Sequence, residues 1–109
     1  MSAKELPLEV TVQQAEEMRQ NGAAVVDVRE PWEYEQGHID GAIPIPLQTL
    51  PERIADVPAD QPVVINCHHG GRSMRAVQFL RSQGRTNVTN LQGGLDRWSQ
   101  EIDPSIARY

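Results

Sequence analysis

Pro62-Val63-Val64-Ile65-Asn66-Cys67-His68-His69-Gly70-Gly71-Arg72-Ser73 is the stretch on which the reading of this chain turns. Pro62 to Asn66 is a short, mainly apolar run, which suits a strand covered on both faces. A loop with two glycines follows. Ser73 to Gln83 then carries Ala76, Val77 and Leu80 at helical spacing, with Gly84 as the stop. A strand, a glycine-bearing loop and a helix start together make a cradle of backbone N–H groups. Cys67, the only cysteine of the chain, opens that loop. A thiol at the bottom of such a cradle is held toward thiolate, its reactive form. A helix N-terminus contributes only about 0.3–1 kcal/mol to that preference, whereas each hydrogen bond to a charged group contributes about 1.5–3 kcal/mol. The dipole by itself is marginal, and several amides aimed at one sulfur can close the gap. Gly70 and Gly71 let the backbone curl with its amides inward and leave room for an incoming atom.

The flanking sequence supplies the rest of an α/β architecture. Thr11 and Gln14 form a capping box, and Val12, Ala15 and Met18 space an apolar helix face that Asn21-Gly22 ends. Ala24 to Val28 is a second apolar strand. Pro31 suits a helix N1, so Pro31 to Gln36 is expected as a short helix closed by Gly37. Ile43-Pro44-Ile45-Pro46 is extended, because each proline disfavours helix in the residue before it. Leu47 to Ala55 is expected to be helical despite Pro51. Val88 to Leu91 is another strand, and a last helix runs from Gly93-Gly94 through Trp98. Trp32 and Trp98 are expected to be core or half-buried packing. Alternating strands and helices imply crossover connections and a mostly parallel sheet. In such sheets ligands bind beyond the carboxyl ends of the strands, where Cys67 lies.

At 109 residues the chain is read as one domain, with a core over about 6–100 and a polar C-terminal tail. A single cysteine permits no internal disulfide and fits a reducing compartment. The segment Met1 to Pro7 has no apolar h-region, and no apolar run approaches a membrane span, so a soluble cytoplasmic monomer is expected. Net charge is −5, which argues against nucleic acid as a partner. The charge is unevenly spread. Between Asp60 and Asp96 there is no Asp or Glu, while Arg72, Arg75, Arg81 and Arg85 lie there with His68 and His69.

Three motifs together resemble the rhodanese-like sulfurtransferase family. They are Asp27-Val28-Arg29 running on through Glu33 to Gly37-His38-Ile39-Asp40-Gly41-Ala42 and Ile45-Pro46; the loop Cys67 to Ser73; and Gly93-Gly94-Leu95-Asp96-Arg97-Trp98. The resemblance implies a five-stranded, mostly parallel sheet flanked by helices on both faces. It also implies a catalytic Cys67 that carries a persulfide. Sulfur would move from thiosulfate or a similar donor to cyanide, a small thiol or a protein thiol, by covalent catalysis without cofactor or metal. His68, His69, Gly70, Gly71, Arg72 and Ser73 would form the substrate-binding loop. Asp27, Arg29 and His38 would be structural support, with Glu33 in the same polar clasp, and Gly93 and Gly94 would make a positive-φ turn. The alternative is a persulfide relay or docking module that acts with a partner protein and turns over free thiosulfate poorly.

A cysteine-dependent phosphatase would need five residues between its cysteine and arginine. Here four separate Cys67 from Arg72, and Ser73 stands at the arginine's place. Metal binding by Cys67, His68 and His69 is disfavoured because adjacent residues rarely converge on one ion. Arg72 has two readings: a fork for the donor's sulfonate end, or a brace against Asp27 or Glu33. Ser73 either N-caps its helix or turns its hydroxyl to the loop. An imidazole is only partly protonated near neutrality. If His68 and His69 attract a dianionic donor, the KM for thiosulfate should rise between about pH 6.5 and pH 8.5.

Overall fold

A computed structural model describes residues 6–106. The start of the signal-peptide reading and the last three residues of the polar tail lie outside them. Five strands form one sheet: β1 (Glu9–Val10), β2 (Ala24–Asp27), β3 (Ile43–Pro44), β4 (Val63–Asn66) and β5 (Val88–Leu91). Their order is β1-β5-β4-β2-β3, and every pairing is parallel. Three helices connect strands, α1 (Val12–Gln20), α2 (Pro31–Gln36) and α3 (Gly71–Ser82), and a fourth, α4 (Gly94–Glu101), follows β5.

Two apolar layers explain why β2 and β4 are apolar at consecutive positions. Successive side chains point to opposite faces of a strand. Val26, Val63, Ile65 and Cys67 pack with Ala76, Val77 and Leu80 of α3 on one face. Val25, Val64 and Leu91 pack with Val12 and Ala15 of α1 and with Leu95 and Trp98 of α4 on the other. A side chain such as Leu80, fully buried, contributes about 1.5–3 kcal/mol relative to exposure.

The local signals set most element ends. Thr11 Oγ1 accepts from the Gln14 amide at 3.1 Å while the Thr11 amide donates to Gln14 Oε1 at 2.9 Å. Pro31 opens α2, and Gly37 closes it. Four expectations need correction. The segment Leu47 to Ala55 is two 3-10 pieces, Leu47–Glu52 and Ile54–Asp56, because Pro51 lacks the N–H that a continuing helix needs. The two-residue edge strand β1 had no periodic signal to betray it. Trp32 is 58% exposed rather than core or half-buried, whereas Trp98 is buried. Finally, Ser73 is not an N-cap: α3 begins at Gly71 behind Gly70, whose φ of 106° is left-handed.

Candidate active site

Cys67 follows directly on β4, and its side chain points to the α3 face with Ile65 two residues earlier. The residue is 1% exposed. The Gly70 amide donates to its sulfur at 3.0 Å, and the Ser73 Oγ lies 3.3 Å from it. Gly70 makes the first contact possible, since its positive φ folds the chain back over the sulfur within three residues. Ser73, in the first turn of α3, is fully buried. A helix leaves its first-turn N–H groups without intrahelical partners, and the start of α3 adjoins the loop.

The other wall of the loop is α4, whose Leu95 amide donates to Cys67 O at 2.8 Å and whose Asp96 amide donates to His68 O at 3.0 Å. In a trans peptide the N–H points opposite to the C=O. Turning these two carbonyls toward α4 therefore aims the His68 and His69 amides away from it, into the loop. The contact demands Gly94. A Cβ there would lie 2.4 Å from His68 O and 2.7 Å from Cys67 O, at a φ of 63°. Gly94→Ala is expected to lose about 2–4 kcal/mol, from left-handed strain and from overpacking against immobile backbone. Thermal melting should fall by more than about 10 °C; a shift of a degree or two would show that α4 yields easily.

Polar clasps hold the loop from the α2 side. Arg29 is fully buried and chelates Asp27, with Nη2 at 2.7 Å from Oδ2 and Nε at 2.9 Å from Oδ1. Its remaining donors reach Glu33 O and Gly37 O. The Glu33 carboxylate instead takes Arg72 bidentately, at 2.6 and 2.9 Å. Of the two partners expected for a brace, Arg72 thus engages Glu33, and its fork is filled by protein. His38 stacks on Tyr34 with ring centroids 3.7 Å apart and lies 2.9 Å from Tyr34 O through Nδ1, so it secures the turn after α2. Arg81 and Arg85 donate to backbone carbonyls of Val88 and of Ile54 and Val57. The positive charge clustered in the sequence is largely turned to structural use.

His69 is exposed and His68 half-buried. Burial lowers the pKa of His68 from its ordinary 6.5, and His69 lowers it further. His68 is therefore mainly neutral across the range in which a charged imidazole was expected to attract a donor. The unfolded chain protonates this imidazole more readily than the folded one, so its linked contribution favours folding above pH 6.5 and declines as acid is added below it. His68→Gln should consequently lose less thermal stability than the native chain on acidification below pH 6.5. Parallel melting curves against pH check this, and identical losses would remove His68 from the balance. Among the described residues, His68, His69 and Asp96 bring one ligand atom each within 4.8 Å of one another, a grouping that could hold a metal ion. Cys67 is not part of it.

One residue at the site escaped the sequence reading. Asn90, at the third position of β5, accepts from Ser73 Oγ through Oδ1 at 2.5 Å. The signal was available: an amide in a strand buried at all four positions must find partners.

The Rhodanese-like domain model matches residues 11–101. The thiosulfate sulfurtransferase GlpE of Ectopseudomonas mendocina (strain ymp) is 38% identical over 99 residues, which cover 91% of this chain and 91% of that protein. Among solved structures, reduced Bacillus anthracis CoADR-RHD superposes with a TM-score of 0.82 at 35% identity, over 93% of this chain but only 18% of that longer one. The human single-domain sulfurtransferase TSTD1 gives a TM-score of 0.80 at 27% identity, over 87% of this chain and 97% of that one.

Proposed function

We propose a function that starts from the family: the chain belongs to the rhodanese-like domain family, and it acts as a sulfurtransferase with Cys67 as its nucleophile. The observation that carries the assignment is the sulfur itself. It sits at a strand end, under a left-handed glycine, with an amide at 3.0 Å and a hydroxyl at 3.3 Å.

In the first half-reaction the Cys67 thiolate attacks the outer sulfur of thiosulfate or a similar donor. A new S–S bond forms, the donor's S–S bond breaks, and sulfite leaves with the electron pair. Cys67 then holds a persulfide, whose negative charge lies on a sulfur about 2 Å further out. There the loop amides, led by that of Gly70, and the N-terminal end of α3 stabilise it, as preorganised dipoles do for any developing anion. In the second half-reaction cyanide, a small thiol or a thiol of a relay protein attacks that outer sulfur, and the Cys67 thiolate departs. No cofactor is required. His68 and His69 form the mouth of the loop, and Arg72 holds its shape through Glu33 rather than gripping the donor. Asp27, Arg29 and His38 support the loop from behind. Because Cys67 is only 1% exposed, the acceptor meets the outer sulfur and not Sγ.

A single cysteine in the chain supports a reducing, cytoplasmic location, and the small size of the chain supports a monomer. Among the described residues no helix is long and apolar enough to cross a membrane. The test is intact mass after mixing with thiosulfate. A gain of one sulfur atom, reversed by cyanide, is expected; no gain at high donor concentration would overturn the assignment.

A further inference from the structure

Ser73 has two acceptors and one proton. Its Oγ lies 3.3 Å from Cys67 Sγ and 2.5 Å from Asn90 Oδ1. A hydroxyl donates once, so it cannot serve both. Which one it serves depends on the way the Asn90 amide faces, and that is set from the far side. Asn90 Nδ2 lies 3.3 Å from Glu9 Oε2, on the edge strand β1. A carboxylate offers acceptors, so the amide nitrogen turns to Glu9 and the amide oxygen is left facing Ser73. The backbone keeps the residue there: the Asn90 amide donates to Leu8 O at 2.9 Å, and Asn90 stands opposite Ile65 of β4. Both Asn90 and Ser73 are buried, at 2% and 0% exposure, so bulk water does not substitute for a lost partner.

Building on the sulfurtransferase assignment, we infer that Asn90 is a positioning residue which engages the Ser73 hydroxyl proton while Cys67 is a thiol and competes with the sulfur for it once Cys67 is an anion. In the thiol form the three groups align head to tail: the Cys67 S–H donates to Ser73 Oγ, and the Ser73 O–H donates to Asn90 Oδ1. Every group is satisfied. When the sulfur loses its proton to solvent, the anion needs the Ser73 hydrogen. The hydroxyl must then rotate about its C–O bond, and Asn90 Oδ1 is left unpaired in the core. No covalent bond changes other than the S–H. The amide therefore restrains the resting thiol from ionising. The persulfide is restrained less, since its charge lies on the outer sulfur, one bond beyond the reach of this competition. The arrangement guards the idle nucleophile against alkylation and oxidation while leaving the loaded form ready to transfer.

The sign is the unusual part: removing a polar partner should make the cysteine more reactive. Asn90→Leu keeps the branched shape, at a somewhat larger volume, and deletes the acceptor. At neutral pH its ultraviolet thiolate absorbance should rise, and its alkylation by iodoacetamide should quicken roughly three- to tenfold, since a hydrogen bond to an anion is stronger than one between neutral groups. Asn90→Asp, of equal size and a stronger acceptor, should slow alkylation. In a Ser73→Ala background, adding Asn90→Leu should change neither reading, because the coupling runs through that hydroxyl. Circular dichroism melts establish that each variant is folded. Unchanged or slower alkylation by folded Asn90→Leu, faster alkylation by Asn90→Asp, or an increase that survives in Ser73→Ala would each overturn the inference. Intact mass of the native chain with thiosulfate is read alongside. A missing sulfur gain there defeats the sulfurtransferase assignment, whereas a normal gain beside flat alkylation rates defeats only the role of Asn90.

Discussion

Cys67→Ser is expected to take up no sulfur from thiosulfate and to reduce sulfur transfer on the order of 10⁴-fold or more, the scale on which loss of a covalent nucleophile is felt. The substitution changes one atom. The Gly70 amide and the Ser73 hydroxyl remain in place, as do the loop amides turned inward by α4, so the electrostatic part of the site survives. What disappears is the only group among its neighbours that forms an S–S bond. A hydroxyl at this place neither attacks a sulfane sulfur at neutral pH nor departs as a stable anion when an acceptor attacks. Because Cys67 lies within the α3-side apolar layer, exchange of sulfur for oxygen should cost about 1–2 kcal/mol from burying a more polar group. The variant should thus melt about 5–10 °C below the native protein, and the loss of activity is read at a temperature where it is still folded. The decisive measurement is intact mass together with the rate of thiocyanate formation from thiosulfate and cyanide. Appreciable transfer by Cys67→Ser would mean that another group handles the sulfur.

Arg29→Met should be the most destabilising replacement at the site, by about 3–5 kcal/mol, the usual result of removing one partner of a buried ion pair. Arg29 and Asp27 have side chains with 0% exposure, so neither charge is relieved by water. The guanidinium also donates to Glu33 O and Gly37 O, which ties the start and the end of α2 to the carboxyl end of β2. Methionine fills most of the volume and satisfies none of these acceptors. Urea unfolding checks the magnitude. The double replacement Asp27→Asn with Arg29→Met should recover part of the loss, because the stranded charge is then gone. A loss below about 1 kcal/mol in the single variant would show that water enters and replaces the pair. Sulfur uptake per folded molecule should stay close to native, since Arg29 hydrogen-bonds to Asp27, Glu33 and Gly37.

The local code of the chain was readable wherever one short segment carries the whole reason. Apolar runs at Ala24–Asp27 and Val63–Asn66 announce strands buried on both faces. The Thr11 box and Pro31 announce helix starts, and the spacing of Ala76, Val77 and Leu80 announces the inward face of α3. The loop from Cys67 to Ser73 was legible as a site for the same reason, because strand, glycines and helix start are neighbours in the chain. Where the reading slipped, two weak local signals competed. Pro51 divided an apolar stretch into 3-10 pieces, and Gly70 moved a helix start that Ser73 had seemed to mark.

The choice of partner for polar side chains was only partly legible, because outside local boxes such as Thr11–Gln14 it is made by residues far away in the chain. Arg72 had two plausible uses until the fold brought Glu33, 39 residues earlier, within bidentate reach. Ser73 was readable as a cap or as a loop-facing hydroxyl, but nothing local showed that β5 would bring Asn90, 17 residues later, against it. The inward aim of the His68 and His69 amides depends on carbonyl contacts with α4, which no spacing within the loop reveals. Periodicity and turn chemistry act over a few residues and survive in the bare sequence. Hydrogen-bond direction and ion pairing act over a few ångströms, and only the folded chain decides which groups stand that close.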